Sequence, residues 1–172
     1  KESSRKRPEF GGGAGETVAV GQYGGGCGLL PTHDESATIT DVITSYQAAG
    51  FTNILVVDGG STDGTREQAR EAGAEVITQT ETGKGQAVRE AVRQIDAPYV
   101  LMADADMTYL AEDAEAMLEP LLAGEAEHVI GNRFADMKSG AMTTLNRVGN
   151  RIFNRFFSRI YGENFGDILS GY

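Results

Sequence analysis

The sequence contains one cysteine, Cys27, and only two histidines, His33 and His128. A single cysteine excludes an intrachain disulfide and a cysteine metal cluster, so we expect Cys27 to be a small buried residue. The two histidines lie far apart and lack metal-ligand spacing. Long apolar runs are also missing: no segment approaches the roughly 18 apolar residues that cross a bilayer, and we expect a soluble chain.

Lysine is scarce in this strongly acidic chain. Of the 15 basic residues only four are lysines, against 25 acidic residues and a formal net charge of -10. An acidic excess with few lysines fits a protein that stays hydrated at high salt, which predicts a halophilic cytoplasm. The same charge argues against nucleic-acid binding, because nucleic-acid-binding proteins present a basic face.

The length and the 40% hydrophobic content fit one domain with its own core. Residues 1–26 are rich in glycine and have little periodicity, and we expect them to form a flexible arm. Their GGGAGET segment does not match a phosphate-binding P-loop, because Glu16 stands where that motif has lysine. The domain is expected over residues 27–172, with a natural C-terminal continuation after Tyr172.

From Cys27 onward, short apolar runs alternate with segments of helical periodicity. The apolar runs predict strands at 28–30, 54–57, 75–77, 99–102 and 128–130. The periodic segments predict helices at about 36–49, 64–72, 84–95, 110–123 and 143–161. This alternation predicts an α/β fold with a mostly parallel sheet and helices on both faces. Ligands of such sheets bind outside the carboxyl ends of the strands.

Four of the predicted strands are followed directly by acidic residues, small residues or an arginine. The segments are PTHDES at 31–36, DGGSTDGT at 58–65, ADADMTY at 103–109 and GNRF at 131–134. Each segment also has a plain structural interpretation; DGGSTDGT, for example, is equally consistent with a turn in which Asp63 caps the next helix. Their convergence on one edge of a sheet favours a binding site.

Two aspartates, Asp104 and Asp106, follow a buried strand directly. Carboxylates this close repel each other unless a cation lies between or beside them. Mg²⁺ or Mn²⁺, held by one or two carboxylates and by phosphate oxygens, meets that requirement. Arg133 at the next strand end can donate two hydrogen bonds to the same phosphates, and Lys84 opens a helix whose free N–H groups favour an anion. Together these residues predict a pocket for a metal-bound diphosphate.

Six motifs carry a resemblance to a known family: PTHDES, VVDGGSTDGT, TGKGQAVREAV, VLMADADMTY, GNRF and DILSGY. In this order and spacing, over residues 28–172, they resemble the family-2 glycosyltransferases, which have the Rossmann-like GT-A fold. More narrowly, the motifs are similar to those of the dolichyl-phosphate hexose synthases, especially the archaeal enzymes that charge dolichyl phosphate with glucose or mannose.

The resemblance implies which residues surround the nucleoside. Pro31, His33 and Glu35 would lie around it, and Asp58 would bind the base or the ribose. The chain departs from the family pattern in and near these residues. His33 replaces a tyrosine that relatives often have, and Gly59 replaces the second acid of their common aspartate pair. A glycine-rich segment, GGGCGLL, also replaces the usual apolar first strand.

The resemblance also implies the catalytic and metal-binding residues. Asp104 and Asp106 would hold Mg²⁺ or Mn²⁺ together with the diphosphate, and Thr108 would be a third ligand where relatives often have glutamine. Arg133 and Arg147 would contact phosphates of the donor or the acceptor, and Arg133 is expected to be catalytic. The other members of the nucleotide-sugar site would be Lys84, Ala105 and Asp167, the last of which would help to close the sugar site.

The implied reaction moves a hexose from UDP-glucose or GDP-mannose to dolichyl phosphate, with inversion at the anomeric carbon, and feeds protein N-glycosylation. Metal held by Asp104 and Asp106 would stabilise the negative charge on the leaving diphosphate. The acceptor phosphate is already ionised at neutral pH, so we expect no indispensable catalytic base, whereas a hydroxyl acceptor would require one.

The segment 138–161 contains no acidic residue and carries arginines at four-residue spacing beside an apolar stripe. The arginines are Arg147, Arg151, Arg155 and Arg159. One interpretation is an amphipathic helix that packs on the core. The other is an interfacial helix over 143–161 that rests on anionic lipid and guides a phosphate headgroup to the site. The second interpretation predicts a cytoplasmic protein peripheral to the inner face of the cell membrane.

Two alternatives to a transferase stay open at this point. DADMT fits the DxDxT motif of haloacid-dehalogenase-type phosphatases, with Asp104 as nucleophile and Asp106 as acid and base. In those enzymes, however, the motif usually follows the first strand, and here it follows the fourth predicted strand. The second alternative is a non-catalytic module that binds a nucleotide sugar without turning it over.

Overall fold

The structure is a computed structural model that describes residues 25–109, residues 111–131, and four further residues, Asn154, Arg155, Ser158 and Arg159. Within these ranges strands and helices alternate along the chain. In order they are β1 (Cys27–Thr32), α1 (Ile39–Ala48), β2 (Asn53–Asp58), α2 (Thr65–Glu71), β3 (Glu75–Thr78), α3 (Lys84–Val92), β4 (Val100–Met102), a 3-10 turn (Ala111–Asp113) and α4 (Ala114–Leu122).

The four described strands form one parallel sheet in the order β3-β2-β1-β4. In its register, Cys27 of β1 lies between Asn53 of β2 and Val100 of β4. The chain builds the sheet in one direction through β3 and then returns to the other side of β1 for β4. This reversal opens a crevice at the carboxyl ends of β1 and β4, where ligands of such folds bind.

The sheet is covered on both faces, as the alternation of strands and helices predicts. Successive strand residues point to opposite faces, so Val56 belongs to one apolar cluster and Val57 to the other. Helices α1, α2 and α4 pack on the Val56 side, and α3 packs on the Val57 side through Ala87 and Ala91. Burial on both faces explains why β2 reads as a continuous apolar run. The buried position of Cys27 is confirmed, and burial raises the pKa of its thiol.

Four predicted strands and four predicted helices are found, with helix ends a few residues shorter than the periodicity indicates. The strand predicted at 128–130 is wrong for the described residues, where this stretch has no strand pairing. A run as short as His-Val-Ile does not specify a strand by itself, because strands are stabilised by their partners.

The structure also bears on the glycine-rich segment before β1. Gly26 lies so close to the ring of Tyr99 that a Cβ atom there would overlap it, which accounts for a glycine at this position. Residues 1–24 of the predicted arm lie outside the described residues. So does most of the predicted helix 143–161, of which the four described residues are helical. Within the described part of the chain, none of the helices has the length and apolarity needed to span a bilayer.

Candidate functional site

Three of the predicted segments meet at the carboxyl edge of the sheet. Thr32 pairs with Asp58 in register, so the loops after β1 and β2 leave the sheet side by side. On the other side of β1, Leu29 pairs with Met102, and the turn with the two aspartates begins directly after it. The sheet order therefore brings the segments 31–36, 58–65 and 103–109 to one edge, as the sequence indicates.

The loops after β1 and β2 are joined by a reciprocal pair of hydrogen bonds. The backbone N–H of Asp34 donates to Ser61 Oγ at 2.9 Å, and the N–H of Thr62 donates to Asp34 Oδ1 at 2.9 Å. Asp34 adopts a left-handed conformation with φ of 53°, which aspartate tolerates better than most residues. This pair fixes the chain at Asp34, between His33 and Glu35.

A second set of contacts centres on Asp63. Its Oδ1 accepts hydrogen bonds from the Thr65 hydroxyl at 2.5 Å and the Thr65 N–H at 3.1 Å, and its Oδ2 accepts one from the Ser36 N–H at 3.0 Å. The Thr65 oxygen in turn accepts the N–H of Glu35 at 2.9 Å. These donors, the Thr65 hydroxyl first, hold the pKa of Asp63 well below its usual range. Asp63 therefore binds the start of α2 and the loop after β1 together.

Asp58 is fully buried and serves the loop that follows it. Its Oδ2 accepts hydrogen bonds from the N–H groups of Gly60 at 2.9 Å and Ser61 at 3.1 Å. Arg66 Nε lies 3.7 Å from the same oxygen and balances its charge. These partners offset the free-energy cost of burying the charged carboxylate. Its assignment to the base or ribose stays a prediction.

His33 and Gly59, two of the departures from the family pattern, face each other. The Gly59 N–H donates to the Thr32 carbonyl at 2.8 Å. A Cβ atom at Gly59 would lie 3.5 Å from both Cβ and Nδ1 of His33. The His33 side chain is otherwise exposed, with Nε2 3.6 Å from Asp34 Oδ2. Replacement of the usual acid by glycine leaves room beside the imidazole, at the edge where the nucleoside is predicted.

The turn after β4 presents the two predicted metal ligands. The Asp104 carboxylate accepts a hydrogen bond from the Lys84 ammonium group, and about a third of its side chain is exposed. Asp106 is exposed and accepts the Thr108 N–H at 2.9 Å, an arrangement that turns the chain through Met107 with φ of 63°. Thr108 thus contributes its backbone here, and its side chain as a metal ligand stays a prediction.

These carboxylates suit a metal that is shared with a diphosphate. Asp104 already pairs with a cation, Lys84, so its position favours positive charge. No cluster of three or more acidic, histidine or cysteine side chains that could hold a metal occurs among the described residues. Mg²⁺ and Mn²⁺ sites of nucleotide enzymes fit this pattern, because phosphate oxygens complete a coordination shell that one or two carboxylates begin.

Lys84 reaches Asp104 because the loop before α3 is held in place. Glu90 on α3 accepts hydrogen bonds from the Thr80 N–H at 3.0 Å and from the Thr80 hydroxyl at 2.8 Å. These bonds lower the pKa of Glu90, chiefly through the Thr80 backbone. Gly83, with φ of 109°, then turns the chain into the helix that Lys84 begins. The predicted convergence of Lys84 and Asp104 is found.

Several predicted site residues can now be placed. Pro31 and Glu35 are partly buried at the end of β1 and in the loop after it, and Ala105 is buried between the two aspartates. Arg133, Arg147 and Asp167 lie outside the described residues. The sequence reading missed a set of loop-fixing residues, Asp34, Thr38, Ser61, Thr65 and Arg66. The one sequence signal for these residues is that each loop is rich in aspartate, serine and threonine, whose side chains often bond to nearby backbone.

Comparison with curated proteins supports a glycosyltransferase. Glycosyltransferase AglJ of Haloferax volcanii is 64% identical to this chain over 147 residues, which are 85% of this chain and 48% of that protein. A dolichyl-phosphate hexose transferase of the same organism is 34% identical over 124 residues, 71% of this chain and 53% of that protein. The chain spans about half the length of both relatives.

Solved structures share the fold. Glucosyl-3-phosphoglycerate synthase from Mycobacterium tuberculosis, in complex with UDP, matches with a TM-score of 0.69 and 22% identity over 91% of this chain and 60% of that one. The complex of the same enzyme with Mn²⁺ and UDP-glucose matches with a TM-score of 0.54 and 28% identity over 58% of this chain and 40% of that one. The predicted α/β, GT-A type of fold is confirmed.

A family model described as glycosyl transferase family 2 matches residues 29–170, which include every motif that carried the resemblance except the end of the last. The match contains both aspartates of the turn after β4 and the loops that converge on them. The chain belongs to glycosyl transferase family 2.

Proposed function

We propose that this chain is the catalytic part of an inverting glycosyltransferase that moves a hexose from a nucleoside diphosphate sugar to dolichyl phosphate. The observation that carries the proposal is the juxtaposition of Asp104, Asp106 and Lys84 at the crevice between β1 and β4. One partly exposed and one exposed carboxylate, with one ammonium group, suit a metal-bound diphosphate at a ligand-binding edge.

The donor is assigned from the chemistry of this edge and from a structural relative. The M. tuberculosis enzyme has been crystallised with Mn²⁺ and UDP-glucose, a donor of the proposed class. In this chain Asp104 and Asp106 would hold Mg²⁺ or Mn²⁺. Lys84 would donate to the diphosphate, and the nucleoside would lie beside His33 and Gly59. UDP-glucose and GDP-mannose both fit this description.

The acceptor is assigned from a curated relative and from the composition of the C-terminal segment. A dolichyl-phosphate hexose transferase is 34% identical to the chain. The segment 143–161 has no acidic residue and carries four arginines, which suits a surface of anionic lipid. We place the protein at the inner face of the cell membrane of a halophilic archaeon, where its product would serve protein N-glycosylation.

In the proposed reaction an oxygen of the acceptor phosphate bonds to the anomeric carbon from the face opposite the diphosphate. The bond between that carbon and the diphosphate oxygen breaks, and its electron pair leaves with the nucleoside diphosphate. Asp104 and Asp106 would hold Mg²⁺ or Mn²⁺, which would supply Lewis-acid stabilisation of the charge on the leaving group. Lys84 would add a hydrogen bond to the same charge, and Arg133 is proposed to contribute as well. The ionised acceptor needs no general base.

These observations argue against one of the two alternatives, the phosphatase, but do not separate the transferase from a non-catalytic binding module. The aspartates follow β4, which pairs with β1 at the switch point, and the chain belongs to a glycosyltransferase family; both facts argue against the phosphatase. A non-catalytic module would bind the same donor, so turnover separates it from the transferase.

The test is a screen of nucleotide sugars against dolichyl phosphate with the full-length protein and either Mg²⁺ or Mn²⁺. We expect a lipid-linked hexose from one donor, lost on chelation with EDTA. Asp104→Asn and Asp106→Asn should each lower turnover more than about 100-fold, since each removes a metal-binding charge. Asp96→Asn, the same change at an exposed residue outside the site, should retain activity. Donor binding without turnover would support the binding module instead.

A further inference from the structure

Thr38 occupies the N-cap position of α1 but does not cap the helix. Serine and threonine at this position usually accept a hydrogen bond from an N–H of the first turn. Here the side chain makes no such bond, and its hydroxyl donates to the Ala105 carbonyl at 2.6 Å, 67 residues further along the chain. The Thr38 side chain therefore bonds to a distant segment of the chain and not to its own helix.

The hydroxyl has weaker alternatives that it does not favour. The carbonyl oxygen and one carboxylate oxygen of Glu35 both lie at 3.4 Å. A hydroxyl has a single hydrogen to donate, and the 2.6 Å contact is the better bond. The start of α1 is satisfied by backbone instead, because the Glu35 carbonyl accepts the N–H groups of Thr38 and Ile39.

The acceptor of this bond lies between the two aspartates. Ala105 is 2% exposed, and a buried carbonyl without a partner carries a desolvation penalty, so the Thr38 hydroxyl stabilises a buried part of the turn. The Ala105 carbonyl belongs to the peptide that leads into Asp106. The orientation of this peptide sets the direction in which the Asp106 side chain leaves the backbone.

The same bond connects all three loops at the carboxyl edge. Asp63 holds Thr65, Thr65 accepts the Glu35 N–H, and the Glu35 carbonyl accepts the backbone N–H of Thr38. Thr38 then donates its hydroxyl to Ala105. The loop after β2 is thereby linked through the loop after β1 to the turn after β4.

We propose that Thr38 is a positioning residue that fixes the peptide between Ala105 and Asp106, and with it the relative placement of the Asp104 and Asp106 carboxylates. This inference rests on the proposed function, in which the two carboxylates share one metal ion. Removal of the hydroxyl should loosen the turn and weaken metal binding while the fold is retained.

The test measures Mn²⁺ affinity by electron paramagnetic resonance, with and without UDP, on the full-length protein. Thr38→Val should weaken Mn²⁺ binding in the presence of UDP roughly three- to tenfold, the loss expected for one hydrogen bond. Thr38→Ser keeps the hydroxyl and should stay within about twofold of the wild type. Thr44→Val is the matched control, because the Thr44 hydroxyl donates to the Thr40 carbonyl within the same helix.

The outcomes separate this inference from the proposed function. Wild-type protein that binds no Mn²⁺ with UDP overturns both. If the wild type binds and folded Thr38→Val binds equally well, or if Thr44→Val loses as much affinity as Thr38→Val, only the positioning role is overturned. Should Thr38→Val fail to fold, Thr38→Ala removes the hydroxyl without a branched side chain, and the same criterion applies to it.

Discussion

The Lys84 ammonium group is paired with the Asp104 carboxylate, across the gap between the start of α3 and the end of β4. The Lys84 ammonium group and a divalent cation at Asp104 repel each other, so Lys84 and a bound metal compete for the Asp104 carboxylate. Lys84 and the proposed diphosphate, in contrast, attract each other. The pair therefore opposes metal binding without nucleotide and favours it when a diphosphate accepts the ammonium group.

Replacement of Lys84 should change the affinity for the metal alone and the affinity for nucleotide with metal in opposite directions. In Lys84→Met the affinity for Mn²⁺ alone should rise, by up to about fivefold, since a partly exposed ion pair no longer has to be displaced. The affinity for UDP in the presence of Mn²⁺ should fall about tenfold, because a hydrogen bond to a charged group is lost. Isothermal titration calorimetry with Mn²⁺, and then with UDP at saturating Mn²⁺, measures both.

Arg89→Gln provides the control for this experiment, since Arg89 is an exposed cation on the same helix. It should leave both affinities unchanged. A parallel loss of Mn²⁺ and UDP affinity in Lys84→Met would mean that Lys84 supports the metal site and does not compete with the metal.

Asp63 makes the stability of the site dependent on acidity. Its pKa lies below the ordinary value of 3.8 in the folded protein, because Thr65 and Ser36 donate to the ionised carboxylate. A lowered pKa means that the folded state favours the ionised form. The stabilisation is therefore complete above about pH 4 and is lost as the pH falls below that value.

Asp63→Asn should remove this contribution. The asparagine oxygen can still accept from Thr65, but the amide NH₂ group cannot accept the Ser36 N–H, so the variant should be less stable than the wild type at pH 7. The difference should shrink as the pH falls below about 4. Urea unfolding at pH 7, 5 and 3 measures it, with Asp96→Asn as the control of equal charge. A difference in stability that stays constant from pH 7 to pH 3 would contradict the attribution of this stability to the ionised Asp63 carboxylate.

Regular features of this molecule could be predicted from sequence because each depends on local pattern. The ILVV run of β2 and the helical period of α1 give the alternation of strands and helices, and parallel connections bring the strand ends to one edge. The proximity of Lys84 and Asp104 follows from this arrangement, since Asp104 comes just after β4 and Lys84 ends the loop after β3, both at the same edge.

The bonds that fix the edge could not be predicted in the same way. Thr38 at the start of a helix reads as an ordinary cap, and only the placement of β4 beside β1 brings the Ala105 carbonyl within reach of its hydroxyl. Asp34 and Ser61 are likewise turn residues in sequence, and their reciprocal bonds depend on two loops 27 residues apart. The strand wrongly predicted at 128–130 has the same cause, because a three-residue run does not show whether another strand lies beside it.

The basic segment 143–161 gives the last prediction, which concerns the membrane. Arg155 is exposed and helical, and Arg151 precedes it by four residues in the sequence. The double change of Arg151 and Arg155 to Glu reverses two charges and should lower binding to vesicles that contain phosphatidylglycerol, because each basic residue near an anionic surface contributes about 1 kcal/mol. Co-sedimentation at low and high salt measures the binding. The same double change at Arg89 and Arg93, two exposed arginines of the segment around α3, controls for net charge and should have a smaller effect. Equal losses in the two double variants would show that net charge governs adsorption, and unchanged binding of the Arg151 and Arg155 variant would rule out this segment as the membrane-facing surface.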